Sequence, residues 1–148
     1  MTPIDYSQFL RYDALIAALR ALAAAHPGYL SLDFIGRSHE GRDIPLVTVT
    51  HMATGAADEK PAYWVDGNIH SVELSGSSAC LYFIEWLMRE RGSDAEVQRC
   101  LDTRTFYVCP RINPDGAEWA MADRPRYVRS ATRRYPYDEA LVRGLVEE

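Results

Sequence analysis

The sequence is poor in the residues that build disulfide frames or thiolate metal sites. Its 148 residues include only three cysteines, Cys80, Cys100 and Cys109, and no two of them are spaced as Cys-x-x-Cys. Three cysteines cannot all pair, and Cys80 falls on the apolar face of a predicted helix. We therefore expect buried, reduced thiols in a reducing compartment, and the spacing argues against a zinc site built from thiolates.

The sequence also lacks long apolar runs and a basic charge balance. No apolar run approaches the roughly 20 residues that cross a bilayer, and the N-terminus has no basic region followed by an apolar core. These absences predict a cytoplasmic protein with no membrane contact. The net charge of −5 argues against general affinity for nucleic acid. The length is that of one domain, and no internal repeat is present.

Hydrophobic periodicity predicts helices and strands in alternation. Helices are expected over residues 12–25, 78–88 and 93–101, the last of them starting with a Ser93–Glu96 capping box. Strands are expected over residues 30–34, 46–50, 62–65 and 105–109, the first two being antiparallel. Residues 36–41 and 113–116 have the composition of turns. This order predicts an α/β layered fold with a mixed sheet.

The stretch from residue 62 to 91 organises the chain. The apolar run at 62–65 is typical of a central strand buried on both faces, and a loop with His70 and Glu73 follows it. Neutral imidazole and carboxylate oxygen both suit zinc, and ligands bind beyond the carboxyl ends of strands in open α/β sheets. A His-x-x-Glu pair also occurs by chance in many proteins, so its position after a strand carries the metal interpretation.

An arginine-rich segment follows Asp123 and has neither helical nor strand periodicity. We interpret residues 123–148 as a loop or tail rich in arginine, tyrosine and proline. Most of its arginines fit a solvated basic loop. One or two guanidinium groups could instead bind an anion, because their planar fork matches a carboxylate or an oxyanion. A third interpretation is that the arginines bind nucleic acid, but the acidic remainder of the chain argues against it.

Three short motifs occur in a fixed order along the chain. Residues 36–44 read Gly-Arg-Ser-His-Glu-Gly-Arg-Asp-Ile, residues 67–73 read Gly-Asn-Ile-His-Ser-Val-Glu, and residues 113–116 read Asn-Pro-Asp-Gly. In this order and spacing they resemble the zinc carboxypeptidases of the A, B and T type. The resemblance covers nearly the whole chain. It implies that residues 1–148 form the N-terminal portion of a three-layer α/β/α catalytic domain with a mixed sheet, truncated at its C-terminal side.

The resemblance also implies chemistry. It implies a Zn²⁺ site of two histidines and one glutamate, the ligand set of carboxypeptidase A, with His70 and Glu73 as two of the ligands. It implies that an arginine after residue 116 stabilises the oxyanion and contacts the substrate. Arg129 is our choice, with Arg126 and Arg133 as alternatives. The expected substrate is a peptide with a free C-terminal carboxylate, hydrolysed at its last peptide or amide bond.

The sequence departs from the family pattern in two respects. Val72 stands where members often carry an arginine. No histidine follows Glu73, so the third ligand and the general base are expected beyond residue 148, with His51 as the one plausible stand-in for the ligand. The 148-residue piece is therefore expected to be inactive and to form homo-oligomers through an exposed sheet edge. A zinc amidohydrolase that deacylates amino acids, or a non-catalytic binding module, would share these motifs.

Overall fold

The computed structural model describes residues 4–130 and 132. Helices and strands alternate along this part of the chain. The helices are α1 (Tyr12–Ala25), α2 (Leu74–Glu90), α3 (Ala95–Thr103) and α4 (Pro114–Ala120). The strands are β1 (Leu30–Arg37), β2 (Asp43–Val49), β3 (Ala62–Asp66) and β4 (Thr105–Cys109). Residues 123–130 contain no helix or strand. Residue 131 and residues 133–148, including Arg133, lie outside the described residues.

The strands form one mixed sheet in the order β1-β2-β4-β3. β1 pairs antiparallel with β2, β2 antiparallel with β4, and β3 parallel with β4. The parallel pair is joined through α2 and α3, the long crossover that such a pair requires. Because β3 and β4 run in the same direction, their carboxyl ends meet at one end of the sheet. The loops that carry the second and third motifs both start there.

The core lies between one face of the sheet and the helices. Val47 and Val49 of β2 project from this face, and their neighbours Leu30 and Val108 continue the row across the sheet. α1, α2 and α3 cover the row with leucines such as Leu19, Leu81 and Leu101. Since a fully buried aliphatic side chain stabilises by about 1.5–3 kcal/mol relative to exposure, this layer holds the end of the sheet in place.

The sequence predicted most elements but not the environment of β3. The boundaries of α1 and β4 agree with the prediction, and β1 and β2 pair antiparallel as expected. The prediction that residues 62–65 form a central strand buried on both faces is wrong. β3 is the last strand of the sheet in the described residues, with Tyr63 61% and Trp64 52% exposed.

Two local predictions at helix starts are also wrong. The side chain that caps α3 is Asp94, which accepts hydrogen bonds from the backbone N–H groups of Glu96 and Val97 at 2.8 and 3.3 Å. Ser93 does not cap it, because its hydroxyl donates to the Glu90 carbonyl instead. Residues 113–116 are the start of α4 and not an isolated turn: Asn113 accepts from the N–H of Gly116 at 3.0 Å, with proline in the first helical position.

The thiols are free in the described structure, as their spacing indicates. Cys80 and Cys109 are buried and Cys100 is partly buried. Burial raises the pKa of the Cys80 thiol to about 11 and that of the Cys109 thiol to about 12. Both are therefore protonated and unreactive near neutral pH. In the part of the chain that is described, no helix combines the length and apolar character needed to span a membrane.

Candidate metal centre

The loops that follow β3 and β4 are joined into one unit at the end of the sheet. The N–H of Gly67 donates to the Cys109 carbonyl at 3.0 Å, and the N–H of Ile112 donates back to the Gly67 carbonyl at 3.2 Å. The N–H of Asn113 then donates to the Asn68 carbonyl at 3.1 Å. These bonds continue the parallel pairing beyond the strands. The second and third motifs are thereby held side by side.

Gly67 and Asn68 set the path of residues 67–73, the loop between β3 and α2 that we call the metal-site loop. A Cβ atom on Gly67 would lie 2.5 Å from the carbonyl carbon of Gly76, so only glycine lets α2 approach the end of β3 this closely. Asn68 has φ of 58°, a left-handed conformation that asparagine tolerates better than most residues. Its buried amide donates to the carbonyls of His70 and Ser71 at 3.0 and 3.2 Å. The loop is thus folded back over its own start.

His70 and Glu73 point towards each other in this loop. Nδ1 of His70 lies 2.8 Å from Oε1 of Glu73, and the N–H of Glu73 donates to the His70 carbonyl at 3.1 Å. Both side chains are partly exposed, and Glu73 immediately precedes α2. Zinc bonds of about 2.0–2.2 Å at tetrahedral angles place two donors roughly 3.4 Å apart. The pair therefore needs only a small opening to hold one ion, and its donor atoms are of the kinds zinc prefers.

His51 cannot supply the third ligand. It follows β2, which runs antiparallel to β4, so it lies at the opposite end of the sheet from His70. Its Nδ1 is 2.7 Å from a carboxylate oxygen of Asp102, and its ring stacks on Tyr29 with 4.5 Å between centroids. The expectation for His51 is wrong because a strand end suits a shared site only when the strands are parallel. Within the described residues, no three His, Cys, Asp or Glu side chains cluster as a metal site.

The arginine-rich segment lies against the metal-site loop. The N–H of Ser71 donates to the Arg129 carbonyl at 3.0 Å, and the Asn113 amide donates to the Ser130 carbonyl at 2.6 Å. The Arg129 side chain is exposed. The guanidinium carbon of Arg126 lies 3.5 Å from the ring centroid of Trp119, a cation–π contact. The Arg129 backbone therefore contacts the metal-site loop, and the Arg126 side chain packs against Trp119 of α4.

Asp115 connects the first motif to the third. This residue is 3% exposed and accepts hydrogen bonds from the Ser38 hydroxyl, the Glu40 N–H and the Arg42 guanidinium at 2.7, 2.8 and 2.7 Å. Burial raises the pKa of the Asp115 carboxyl, but these hydrogen bonds outweigh it and hold the pKa below its ordinary value. Sequence reasoning took Asp115 for a turn residue. Its partners Ser38 and Arg42 lie in the first motif, and nothing in the sequence around them indicates that they bind Asp115.

Arg111 is a second residue that sequence reasoning missed. It is 1% exposed, and its guanidinium donates to the Ser77 hydroxyl at 3.2 Å and to the Leu10 carbonyl at 2.9 Å. Burial lowers the pKa of Arg111 to about 10, while the nearby carboxylate of Glu118 acts in the opposite direction. It remains charged at neutral pH. It ties α2 and the N-terminal segment to the end of β4.

A cleft of about 540 Å³ adjoins the site. Arg37 and His39 of the first motif line one wall, and Ile69, Pro114 and Ser130 line the others. The cleft therefore touches all three motifs and the arginine segment. It lies beside the loop that carries His70.

The sequence profile of the zinc carboxypeptidases matches residues 15–141. The chain is 32% identical over 120 residues to carboxypeptidase B of Astacus astacus, covering 81% of this chain and 37% of that protein. It is 26% identical to an inactive metallocarboxypeptidase of Talaromyces marneffei, covering 75% of this chain and 19% of that one.

A solved structure shares the fold. The carboxypeptidase A of Helicoverpa armigera superimposes with a TM-score of 0.75 at 24% identity, over 92% of this chain and 32% of that one. This confirms the predicted α/β fold with its mixed sheet. The chain spans well under half the length of these relatives. The match over residues 15–141 shows that the chain belongs to the zinc carboxypeptidase family, whose expected cofactor is Zn²⁺.

Proposed function

We propose that the protein is a zinc-dependent metallocarboxypeptidase that removes the C-terminal residue of a peptide with a free carboxylate. The observation that carries the proposal is the 2.8 Å approach of His70 Nδ1 and Glu73 Oε1 at the carboxyl end of β3. In the proposal these two side chains are two of the three protein ligands. Bound zinc supplies polarisation of the scissile carbonyl and a water whose pKa falls towards about 7.

Arg129 has the second role in this proposal. Its guanidinium would donate hydrogen bonds to the oxygen on which negative charge develops, since a planar fork of N–H groups suits an oxyanion. Arg126 would contact the substrate from its place on Trp119. In the proposal the third ligand and the general base come from beyond residue 148, so we expect the 148-residue chain alone to be inactive.

The test offers three substrates to the protein that contains the complete catalytic domain: a peptide with a free C-terminal carboxylate, the same peptide with a C-terminal amide, and an N-acyl amino acid. We expect a peptide with a free C-terminal carboxylate to lose its last residue. The same peptide with a C-terminal amide should react far more slowly, and 1,10-phenanthroline should abolish the reaction until zinc is restored. Glu73→Gln should retain less zinc after dialysis than wild type, whereas the exposed Glu59→Gln should retain as much.

Other outcomes would redirect the assignment. Hydrolysis of N-acyl amino acids in place of the peptide would indicate the deacylase alternative. Zinc-loaded protein that cleaves none of the three substrates would indicate a binding module. A relative in Talaromyces marneffei is named an inactive metallocarboxypeptidase, so a similar protein without activity is known. Unchanged zinc content in Glu73→Gln would contradict the ligand assignment.

We also propose that the 148-residue chain associates with itself through β3. Within the described residues β3 has a strand on one side only, and Tyr63 and Trp64 on it are more than half exposed. Unpaired, apolar sheet edges tend to pair with other chains, and lysine on such an edge opposes this. Light scattering should report dimers or larger species, and Trp64→Lys should lower the mass.

The other outer strand provides the matched control. Ile35 is exposed on β1, so Ile35→Lys places the same charge at the opposite edge. A monomeric wild-type chain would refute the proposal. If Ile35→Lys dissociates the oligomer and Trp64→Lys does not, the interface lies at β1.

A further inference from the structure

Ser71 occupies an unusual position between the two proposed ligands. It is 0% exposed, although the residues beside it in the loop are partly exposed. Its N–H donates to the Arg129 carbonyl at 3.0 Å, and its hydroxyl donates to the Val128 carbonyl. Both donors of one residue are thus directed at consecutive carbonyls of the arginine segment. Neither serves the fold of its own loop.

Asn113 extends the same attachment by one residue. Its amide nitrogen donates to the Ser130 carbonyl at 2.6 Å and to the Ile69 carbonyl at 3.1 Å. Its amide oxygen caps α4, which fixes the orientation of the side chain. Three consecutive carbonyls, from residue 128 to 130, are therefore held by the metal-site loop and the start of α4.

The packing around Ser71 shows that this attachment is built closely. A Cβ atom on Gly116 would lie 2.7 Å from Cβ of Ser71, so the approach of α4 requires glycine there. The carbonyl of Ser71 accepts from the buried Asn68 amide at 3.2 Å. Ser71 is thus held between α4 on one side and the Asn68 amide, which also shapes the metal-site loop, on the other.

We propose that Ser71 is a positioning residue for Arg129. It fixes the backbone of residues 128–129 relative to the proposed ligands and leaves the Arg129 side chain free to reach the reacting oxygen. Asn113 assists by holding Ser130. This inference rests on the proposed function, in which Arg129 donates to the oxyanion. A displacement of about 1 Å in a catalytic group can cost roughly a hundredfold in rate.

The experiment is a double-mutant cycle in the protein with the complete catalytic domain, combined with a measurement that needs no activity. Ser71→Ala should lower kcat by about ten- to a hundredfold with little change in KM. In an Arg129→Ala background the same substitution should cost nothing further, because the group it positions is gone. The N–H of residue 71, which donates to the Arg129 carbonyl, should lose protection against hydrogen exchange in Ser71→Ala, and zinc content should not change. Ser75→Ala, an exposed serine in the first turn of α2, is the control and should leave all four readouts unchanged.

Each contrary outcome has a distinct meaning. An equal loss of kcat in both backgrounds, or a loss of zinc, would overturn the proposal by showing that Ser71 supports the metal site or the fold. Unchanged protection of the residue 71 N–H against exchange would overturn it as well. If Arg129→Ala alone retains full activity, the proposed role of Arg129 fails, while the exchange measurement still decides whether Ser71 holds the segment. Should Ser71→Ala not fold, Ser71→Cys replaces it; its thiol is a much weaker donor than the hydroxyl, so the same changes are expected at smaller size.

Discussion

Replacing Arg129 with alanine is expected to lower kcat by about a hundred- to a thousandfold, the usual cost of removing one oxyanion donor. The Arg129 side chain is exposed while its carbonyl is bound by Ser71, so the substitution removes the guanidinium and leaves the backbone attachment in place. The donor acts mainly on the transition state, so KM should change much less than kcat. Steady-state kinetics on a peptide with a free C-terminal carboxylate measure both.

The neighbouring arginines provide the controls for this experiment. Arg124 is exposed in the same segment and has no role in the proposal, so Arg124→Ala should retain wild-type kinetics. Arg126→Ala removes a guanidinium that stacks on Trp119 and should mainly raise KM. If Arg129→Ala is fully active and Arg126→Ala loses turnover instead, the oxyanion role belongs to Arg126. If neither matters, Arg133 is the remaining candidate.

The spacing of apolar residues within a segment was enough to predict the helices and strands that bury one continuous apolar face. The leucines of α1 recur at helical spacing, and the residues of β4 form a short buried run, so their boundaries followed from sequence. β3 has the same kind of run, but its exposure depends on which strand lies beside it. That is a property of the sheet, not of the segment. The start of α4 was missed because Asn-Pro-Asp-Gly satisfies both a turn and a capped helix.

In the site, too, contacts between residues close in sequence could be predicted, and contacts between distant segments could not. His70 and Glu73 are three residues apart, so their approach could be inferred from spacing alone. The partners of Asp115 lie more than 70 residues upstream, and those of Ser71 nearly 60 residues downstream. The pairing of β2 with β4 brings the partners of Asp115 to it, and the pairing of β3 with β4 places Ser71 beside the segment that follows β4. Each motif was visible in the sequence, whereas the bonds that join the motifs were not.

Asp115→Asn is expected to lower the free energy of unfolding by about 2–4 kcal/mol, because it leaves Arg42 without its buried charge partner and turns an amide N–H₂ towards donors. The affected donors are the Ser38 hydroxyl, the Glu40 N–H and the Arg42 guanidinium. Urea unfolding near pH 7 measures the difference. The exposed Asp33→Asn removes the same charge from β1 and should change stability by less than about 0.5 kcal/mol.

The pH dependence separates the charge of Asp115 from its shape. The folded protein holds the pKa of Asp115 below its ordinary value, so the carboxylate contributes stability at every pH above the unfolded value of about 3.9. This contribution decreases as the pH falls below the unfolded pKa, and it is lost once the pH is below the pKa of Asp115 in the folded protein. The stability gap between wild type and Asp115→Asn should therefore be constant from about pH 5 to 7 and narrow in more acidic solution. The pKa of Glu118 is also lowered, through its contacts with Arg11 and Tyr12, but Glu118 is present in both proteins and cancels in the difference. A gap that stays constant below pH 4, or one that widens there, would show that the carboxylate charge is not what holds the first motif to the third.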